Sequence, residues 1–119
     1  MIVEIQFMKG IKESTLPIIK LTKSRNGETG TGTFFFIKPE IFQLMKVTNE
    51  FNIQGIFLLW ENKKIESKNI EIFFKEGKPF LLKAIFIFKN SKEWFEFLNF
   101  MNYYSKETGL LFTEKNNLF

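Results

Sequence analysis

The chain of 119 residues contains no cysteine, no histidine and no aspartate, and all 13 of its acidic residues are glutamate. Without cysteine there is no disulfide and no thiolate chemistry. Without histidine or cysteine, the common zinc and transition-metal sites are excluded, and so are the Ser–His and Cys–His pairs of nucleophilic enzymes. We therefore predict no catalytic residue, no metal site and no cofactor, and we predict that the protein is not an enzyme.

Positive charge is present but is not concentrated anywhere. The 17 basic residues exceed the 13 acidic ones by four, and lysines occur in every segment. Nucleic-acid-binding proteins usually gather their basic residues in one stripe or patch, so nucleic acid is not the expected partner. Long apolar runs are also absent, because the two longest, 53–60 and 80–88, are too short to cross a bilayer. Any membrane association is expected to be peripheral.

Hydrophobic residues make up 45% of the chain and charged residues 25%, which is typical of a globular protein. At this length we expect a single domain over 1–119. Apolar periodicity predicts six strands and two helices. The strands are expected near 3–7, 18–23, 29–37, 51–60 and 80–88, with one more running through Ile70, Ile72 and Phe74 after a polar turn at 61–64. This order favours an α+β fold with a curled, mostly antiparallel sheet of about six strands, one short helix and one long C-terminal helix.

Both helices have start signals in the sequence. Pro39 and Glu40 suit the first turn of a short helix. Asn90 followed by Glu93 forms a capping-box pattern, and Gly109 is suited to the position after the last helical turn. Helical spacing between these two signals predicts a core-facing stripe made of Trp94, Phe97, Leu98, Met101 and Tyr104.

The most distinctive stretch lies between 21 and 34. Asn26-Gly27 separates two strand-like runs, which predicts a hairpin with a type I′ turn. Its glycines do not form a phosphate loop, because the Lys-Ser/Thr pair and the following helix are missing. The glycines either serve only the strand, or leave the backbone open to a partner's chain. Arg25, the one guanidinium in the chain, is suited to bidentate binding of a carboxylate.

Residues 22–34, Thr-Lys-Ser-Arg-Asn-Gly-Glu-Thr-Gly-Thr-Gly-Thr-Phe, closely resemble the signature of the Psb28 family of photosystem II assembly factors, also called the thirteen-kilodalton photosystem II proteins. Three further stretches, 5–11, 53–57 and 91–110, resemble the opening, the central strand and the final helix of that family. The similarity runs through nearly the whole chain in order, which makes it more specific than any single motif.

This resemblance implies a peripheral assembly or repair factor that docks transiently on photosystem II intermediates, near the inner-antenna and reaction-centre subunits. It implies a place on the stromal side of the chloroplast thylakoid membrane, or on the cytoplasmic side in a cyanobacterium. We recognise no targeting segment before the first strand, which fits a plastid-encoded or a cyanobacterial protein. The family's mode of binding is the addition of a partner segment to the sheet.

The expected partner-binding residues are in the hairpin and on the long helix. Phe95 and Tyr103 lie off the core-facing stripe, so they either contact a partner or are covered by the tail that follows Gly109. The full set is Lys23, Ser24, Arg25, Asn26, Gly27, Thr29, Gly30, Thr31, Thr33, Phe95 and Tyr103. An acid–base pair made of Glu93 and Glu96 is disfavoured, because helix surfaces often carry such glutamates.

Binding of single-stranded nucleic acid is the alternative function that the sequence leaves open. Phe34, Phe35 and Phe36 are consecutive, and a curled sheet that presented them beside lysines would stack the bases of a single-stranded nucleic acid. Such binding would weaken steeply with salt.

Overall fold

The structure, a computed structural model, describes residues 2–26, 28–48 and 53–110, with only the backbone described at 47 and 48. This part of the chain forms eight strands and two helices, which confirms the α+β class. In chain order the elements are β1 (Val3–Met8), β2 (Ile11–Glu13), β3 (Ile18–Lys23), β4 (Gly30–Ile37), α1 (Ile41–Thr48), β5 (Ile56–Trp60), β6 (Lys63–Ser67), β7 (Ile70–Lys75), β8 (Lys78–Phe88) and α2 (Ser91–Thr108).

The strands form two four-stranded antiparallel sheets, where the sequence predicts one sheet of about six strands. Sheet A has the order β2-β1-β5-β6, and sheet B has the order β3-β4-β8-β7. The single strand predicted after the turn at 61–64 is in fact two strands, because the chain leaves sheet A after Ser67 and enters sheet B at Ile70. The Ser67 hydroxyl donates to the Ile85 carbonyl at 2.5 Å, and the Ile85 N–H donates to the Asn69 carbonyl at 3.0 Å. These bonds hold the crossing point against β8.

The core lies between the two sheets and α2. Phe7 of sheet A and Phe36 of sheet B meet edge to face, with ring centroids 4.9 Å apart. From α2, Phe100 packs on Trp60 of sheet A at 5.5 Å, and Phe97 packs on Phe88 of sheet B at 4.7 Å. The predicted stripe of α2 is buried, as is Phe100. The long helix therefore contacts both sheets at once.

The ends of α2 follow the sequence prediction. The Asn90 side chain accepts a hydrogen bond from the Glu93 N–H at 2.9 Å, and the Glu93 carboxylate accepts one from the Lys89 N–H at 2.7 Å. Gly109 adopts the left-handed conformation, with φ 80°, and donates its N–H to the Ser105 carbonyl. Both ends of the helix thus have partners for backbone groups that the helix itself cannot satisfy.

The start of α1 depends on a distant residue that the sequence does not reveal. Glu13, only 4% exposed, accepts hydrogen bonds from the N–H groups of Glu40 at 2.7 Å and Ile41 at 3.0 Å. In return, the Glu40 carboxylate accepts one from the Ser14 N–H at 2.7 Å. A carboxylate at a helix N-terminus satisfies free N–H groups and interacts favourably with the helix dipole.

Candidate partner-binding surface

The hairpin between β3 and β4 is confirmed, and its register is centred on residues 26 and 27. Lys23 pairs with Gly30, and the Ser24 N–H donates to the Thr29 carbonyl at 2.9 Å. Side chains hold the loop together: Asn26 Oδ1 accepts from the Ser24 hydroxyl at 2.6 Å and from the Glu28 N–H at 3.0 Å. The loop is therefore ordered by Ser24 and Asn26, two of the predicted partner-binding residues.

The predicted type I′ turn at Asn26-Gly27 is wrong at its first residue. Among the described residues other than glycine, positive φ angles occur only at Lys38, Glu61, Asn62 and Glu76. Asn26 is thus not left-handed, and its side-chain oxygen accepts hydrogen bonds within the loop. Gly27 lies outside the described residues.

Type I′ geometry occurs instead at two other hairpins. Glu61 and Asn62 have φ angles of 45° and 62° between the paired residues at the ends of β5 and β6. Glu76 and Gly77 have φ angles of 53° and 77° between β7 and β8. Two consecutive positive φ angles match the twist of the strands that such a turn connects.

β4 is an interior strand, so its backbone is not open to a guest strand. It pairs with β8 on one side over its whole length, and with β3 on the other side from Gly30 to Phe35. A Cβ atom at Gly30 would lie 3.2 Å from the Trp94 ring, and one at Gly32 would lie 3.2 Å from the Phe97 ring. These two glycines thus make room for side chains of α2, which favours the purely structural interpretation of this part of the motif.

The threonines of the motif lie on the opposite side of β4. We call this side, which faces away from α2, the outer face of sheet B: Ile18, Lys20, Thr22, Thr31, Thr33, Phe35, Ile37, Glu71, Phe73, Leu81, Lys83, Ile85 and Ile87. The hydroxyls of Thr22 and Thr31 are hydrogen bonded to each other, and the Lys20 ammonium lies over the Phe35 ring at 5.8 Å. Ile18, Ile37 and Ile87 are exposed.

The surface required for the nucleic-acid alternative is not present. Phe34 and Phe36 are completely buried, and only Phe35 faces outward. The expectation that the three consecutive phenylalanines form one base-stacking platform is wrong, because strand alternation sends the first and third into the core.

The remaining predicted residues do not form one continuous patch. Lys23 lies over the Trp94 ring at 5.8 Å, which places the hairpin beside the start of α2, and the neighbouring Phe95 is 64% exposed. Tyr103 is eight residues further along the helix, about 12 Å away. Its hydroxyl is hydrogen bonded to Glu61, and this bond together with the glutamate charge raises the pKa of Tyr103. Residues 111–119, the tail expected to cover these aromatics, lie outside the described part.

Sequence reasoning missed a groove between the two sheets. It has a volume of about 410 Å³ and lies between β6 and the last residues of β8, beside the first turns of α2. Its walls are Lys64, Ile65, Glu66 and Ser67 on one side and Ile85, Phe86, Ile87 and Phe88 on the other. No local sequence pattern predicts this groove, because it exists only where the chain crosses from one sheet to the other.

Within residues 2–26, 28–48 and 53–110, no group of three acidic side chains is arranged to hold a metal ion. Neither of the helices described above is long and apolar enough to cross a membrane.

Residues 5–112 match the Psb28 protein family, a span that includes both sheets, both helices and the hairpin motif. The chain belongs to the Psb28 family. The resemblance seen in the sequence is thereby confirmed.

Relatives of this Psb28-family chain are similar over almost their whole length. The Photosystem II reaction center Psb28 protein of Guillardia theta is 36% identical over 113 residues, which is 95% of this chain and 97% of the relative. The protein of the same name from Gloeothece citriformis is 40% identical over 114 residues, with coverage of 93% and 97%. That from Trieres chinensis is 38% identical over 111 residues, with coverage of 93% and 96%.

Proposed function

We propose that this Psb28-family chain is a non-catalytic docking protein that binds photosystem II transiently during its assembly or repair. Support comes from family membership and from the names of the relatives, which place them with the photosystem II reaction centre. Its partners in this proposal are intermediates that contain inner-antenna and reaction-centre subunits. The protein is peripheral to the thylakoid membrane, on the stromal side in a plastid or the cytoplasmic side in a cyanobacterium.

The observation that carries the docking mode is the free edge of β3. The Ser24 N–H donates to Thr29, and hydrogen-bonded pairs alternate along an antiparallel ladder. The main-chain groups of Ile19, Leu21 and Lys23 therefore point away from β4, and within the described residues β3 has no second neighbour. An extended segment of a photosystem subunit would pair with these groups, which supplies affinity, while nearby side chains supply selectivity.

The hairpin loop stands at one end of this edge. Arg25, Asn26 and Thr29 are exposed, and no ion pair of Arg25 is found within the described ranges. In this proposal Arg25 binds a carboxylate of the partner through two parallel hydrogen bonds. Thr31 and Thr33 contribute their side chains from the outer face of sheet B, while Gly30 acts only by keeping α2 close.

The test is recovery of photosystem II intermediates with the tagged full chain from thylakoid extracts. We expect the inner-antenna subunit among the recovered proteins, and recovery of soluble proteins alone would contradict the proposal. Arg25→Ala is expected to lower recovery several-fold, and Arg25→Lys is expected not to restore it, because lysine cannot form the bidentate pair. Lys106→Ala, at the far end of α2, is the matched control and should leave recovery unchanged.

A further inference from the structure

β8 continues beyond the strand that pairs with it. β7 begins at Ile70, which pairs with Ala84, whereas β8 runs on to Phe88. Phe86, Ile87 and Phe88 therefore have β4 on one side and the groove on the other, whereas the N–H and C=O of Ile85 are bonded to Asn69 and Ser67. This short length of β8 is an open edge, although the strand is interior elsewhere.

The hydrogen-bonding direction of β8 shows which main-chain groups face the groove. The Ile85 N–H donates to Asn69, on the side away from β4. The Lys38 N–H, which follows β4, donates to the carbonyl of Phe80. From Phe80 onward, even-numbered residues of β8 thus bond toward β4 and odd-numbered residues bond away from it, toward β7. The N–H and C=O of Ile87 point into the groove, and no hydrogen bond from the Ile87 N–H to a described residue is found there.

β6 presents a second open edge to the same groove. A two-residue turn, Glu61-Asn62, makes Trp60 and Lys63 a hydrogen-bonded pair at the end of the β5–β6 hairpin. The pairing then alternates, so the main-chain groups of Lys64 and Glu66 point away from β5. Within the described residues β6 pairs with β5 alone.

The groove is acidic although the protein as a whole is basic. Three glutamates, Glu66, Glu93 and Glu96, line it with one lysine, Lys64. Lys64 lies 3.5 Å from Glu66, and both side chains are exposed. Glu96 has no hydrogen-bond or ion-pair partner among the described residues. Glu93 and Glu96 lie one helical turn apart, so their negative charges act together. The groove thus favours a positively charged occupant.

We propose that the groove between β6 and β8 binds an extended, basic segment of a partner protein as an added strand. The segment pairs with Lys64 and Glu66 on one side and with Ile87 on the other, so that sheets A and B become continuous. About four residues, ~13 Å at the usual rise, fill the groove. Cytoplasmic-side loops of membrane proteins are rich in Lys and Arg, which suits them to this groove. This inference rests on the proposed function and adds to it a partner class and a second docking edge, distinct from the free edge of β3.

Backbone hydrogen exchange tests the groove directly. The probes are a capped peptide that alternates Lys or Arg with Ile or Val, and a matched peptide with Glu in place of its basic residues. We expect the amides of Ile87, Lys64 and Glu66 to exchange quickly in the free protein and at least tenfold more slowly with saturating basic peptide. The acidic peptide should give no protection. Protection confined to Ile19, Leu21 and Lys23 would place the guest on β3 and overturn the inference.

Proline substitution tests whether the partner binds in the groove or at the free edge of β3. Ile87→Pro removes an N–H that points into the groove and breaks no bond of sheet B, and Ile19→Pro makes the same change at the free edge of β3. We expect Ile87→Pro to lower recovery of photosystem II intermediates at least tenfold and Ile19→Pro to retain more of it. If the wild-type chain recovers no photosystem II subunits, the proposed function fails. If Ile87→Pro recovers as much as wild type, the groove inference fails, and if Ile19→Pro also does so, the free edge of β3 is not a docking edge either.

Charge reversal gives an independent test that does not depend on a proline being tolerated. Glu96→Lys, at the groove, is expected to weaken binding of the basic peptide at least fivefold. Glu107→Lys, on the same helix but outside the groove, should leave its affinity within twofold. Equal affinities for the two variants would overturn the basic character of the partner segment.

Discussion

The two faces of β4 differ in burial and in the kind of side chain that they carry. Gly30, Gly32, Phe34 and Phe36 point toward α2 and the other sheet, and both phenylalanines are completely buried. Thr31, Thr33, Phe35 and Ile37 point outward, and none of them is buried. Within this one motif, residues that pack in the core therefore alternate with residues that face outward.

The largest expected contrast is between Phe34→Ala and Phe35→Ala. Phe34 contacts Phe36, Phe86 and Phe97 in the core, so its loss should lower the free energy of unfolding by about 3–5 kcal/mol. Phe35 has Lys20 over its exposed side, and its loss should cost about 1 kcal/mol. Chemical denaturation of the two variants measures both values. Equal losses would contradict the division of β4 into two faces.

Gly30→Ala is expected to cause the next-largest loss in the free energy of unfolding. The added Cβ would lie 2.6 Å from the main-chain oxygen of Thr22, which cannot move without disturbing the β3–β4 pairing. Such overpacking typically costs about 1–3 kcal/mol. Thr31→Ala, one residue away on the other face, is the control; it removes only the exposed hydrogen bond to Thr22 and should lower the free energy of unfolding by less than about 1 kcal/mol. A Gly30→Ala variant as stable as wild type would show that α2 and β3 can yield at this point.

Gly32→Ala should cost less than Gly30→Ala. Its added Cβ meets the tip of the Phe97 ring at 3.2 Å, and a side chain shifts more easily than a backbone. We expect a loss of about 1 kcal/mol or less. In a Phe97→Leu background the loss should disappear, since the contacting ring atom is gone. A double-mutant cycle measures this coupling, and additive effects would mean that the glycine does not serve Phe97.

The smallest effect on stability is expected for Thr33→Ala, on the outer face of sheet B. The free energy of unfolding should change by no more than about 0.5 kcal/mol. Recovery of photosystem II intermediates should nevertheless fall, because Thr33 is among the predicted partner-binding residues. Unchanged recovery would restrict the binding surface to the strand edges and leave the outer face of β4 without a role in docking.

Local patterns account for the parts of the fold that the sequence predicted well. The bounds of α2, its Asn90 cap and its buried stripe all depend on residues within a few positions of each other. The split between β6 and β7 was missed because it depends on Ser67 bonding to Ile85, 18 residues away. The role of Glu13 was missed for the same reason, since its partners are Glu40 and Ile41.

The candidate site also combines features that local sequence patterns predict with features that depend on distant contacts. Alternation along β4 was enough to place Phe34 and Phe36 on the same side as Gly30 and Gly32. Treating the three phenylalanines as one platform ignored that alternation. Arg25 and Asn26 lie in an exposed hairpin loop, as the sequence predicts, whereas Gly30, Thr31 and Thr33 lie within the interior strand β4. The groove between β6 and β8 had no sequence signal, because its two walls come from different sheets.

The reciprocal bonds of Glu13 and Glu40 close a ring. Between them the chain leaves as β3, returns as β4 and arrives within 2.7 Å of its starting point. Pinning the two ends of such an excursion reduces the freedom of everything between them. The bonds between Glu13 and Glu40 therefore fix the two points at which the β3–β4 hairpin begins and ends, and they tie both points to the first turn of α1.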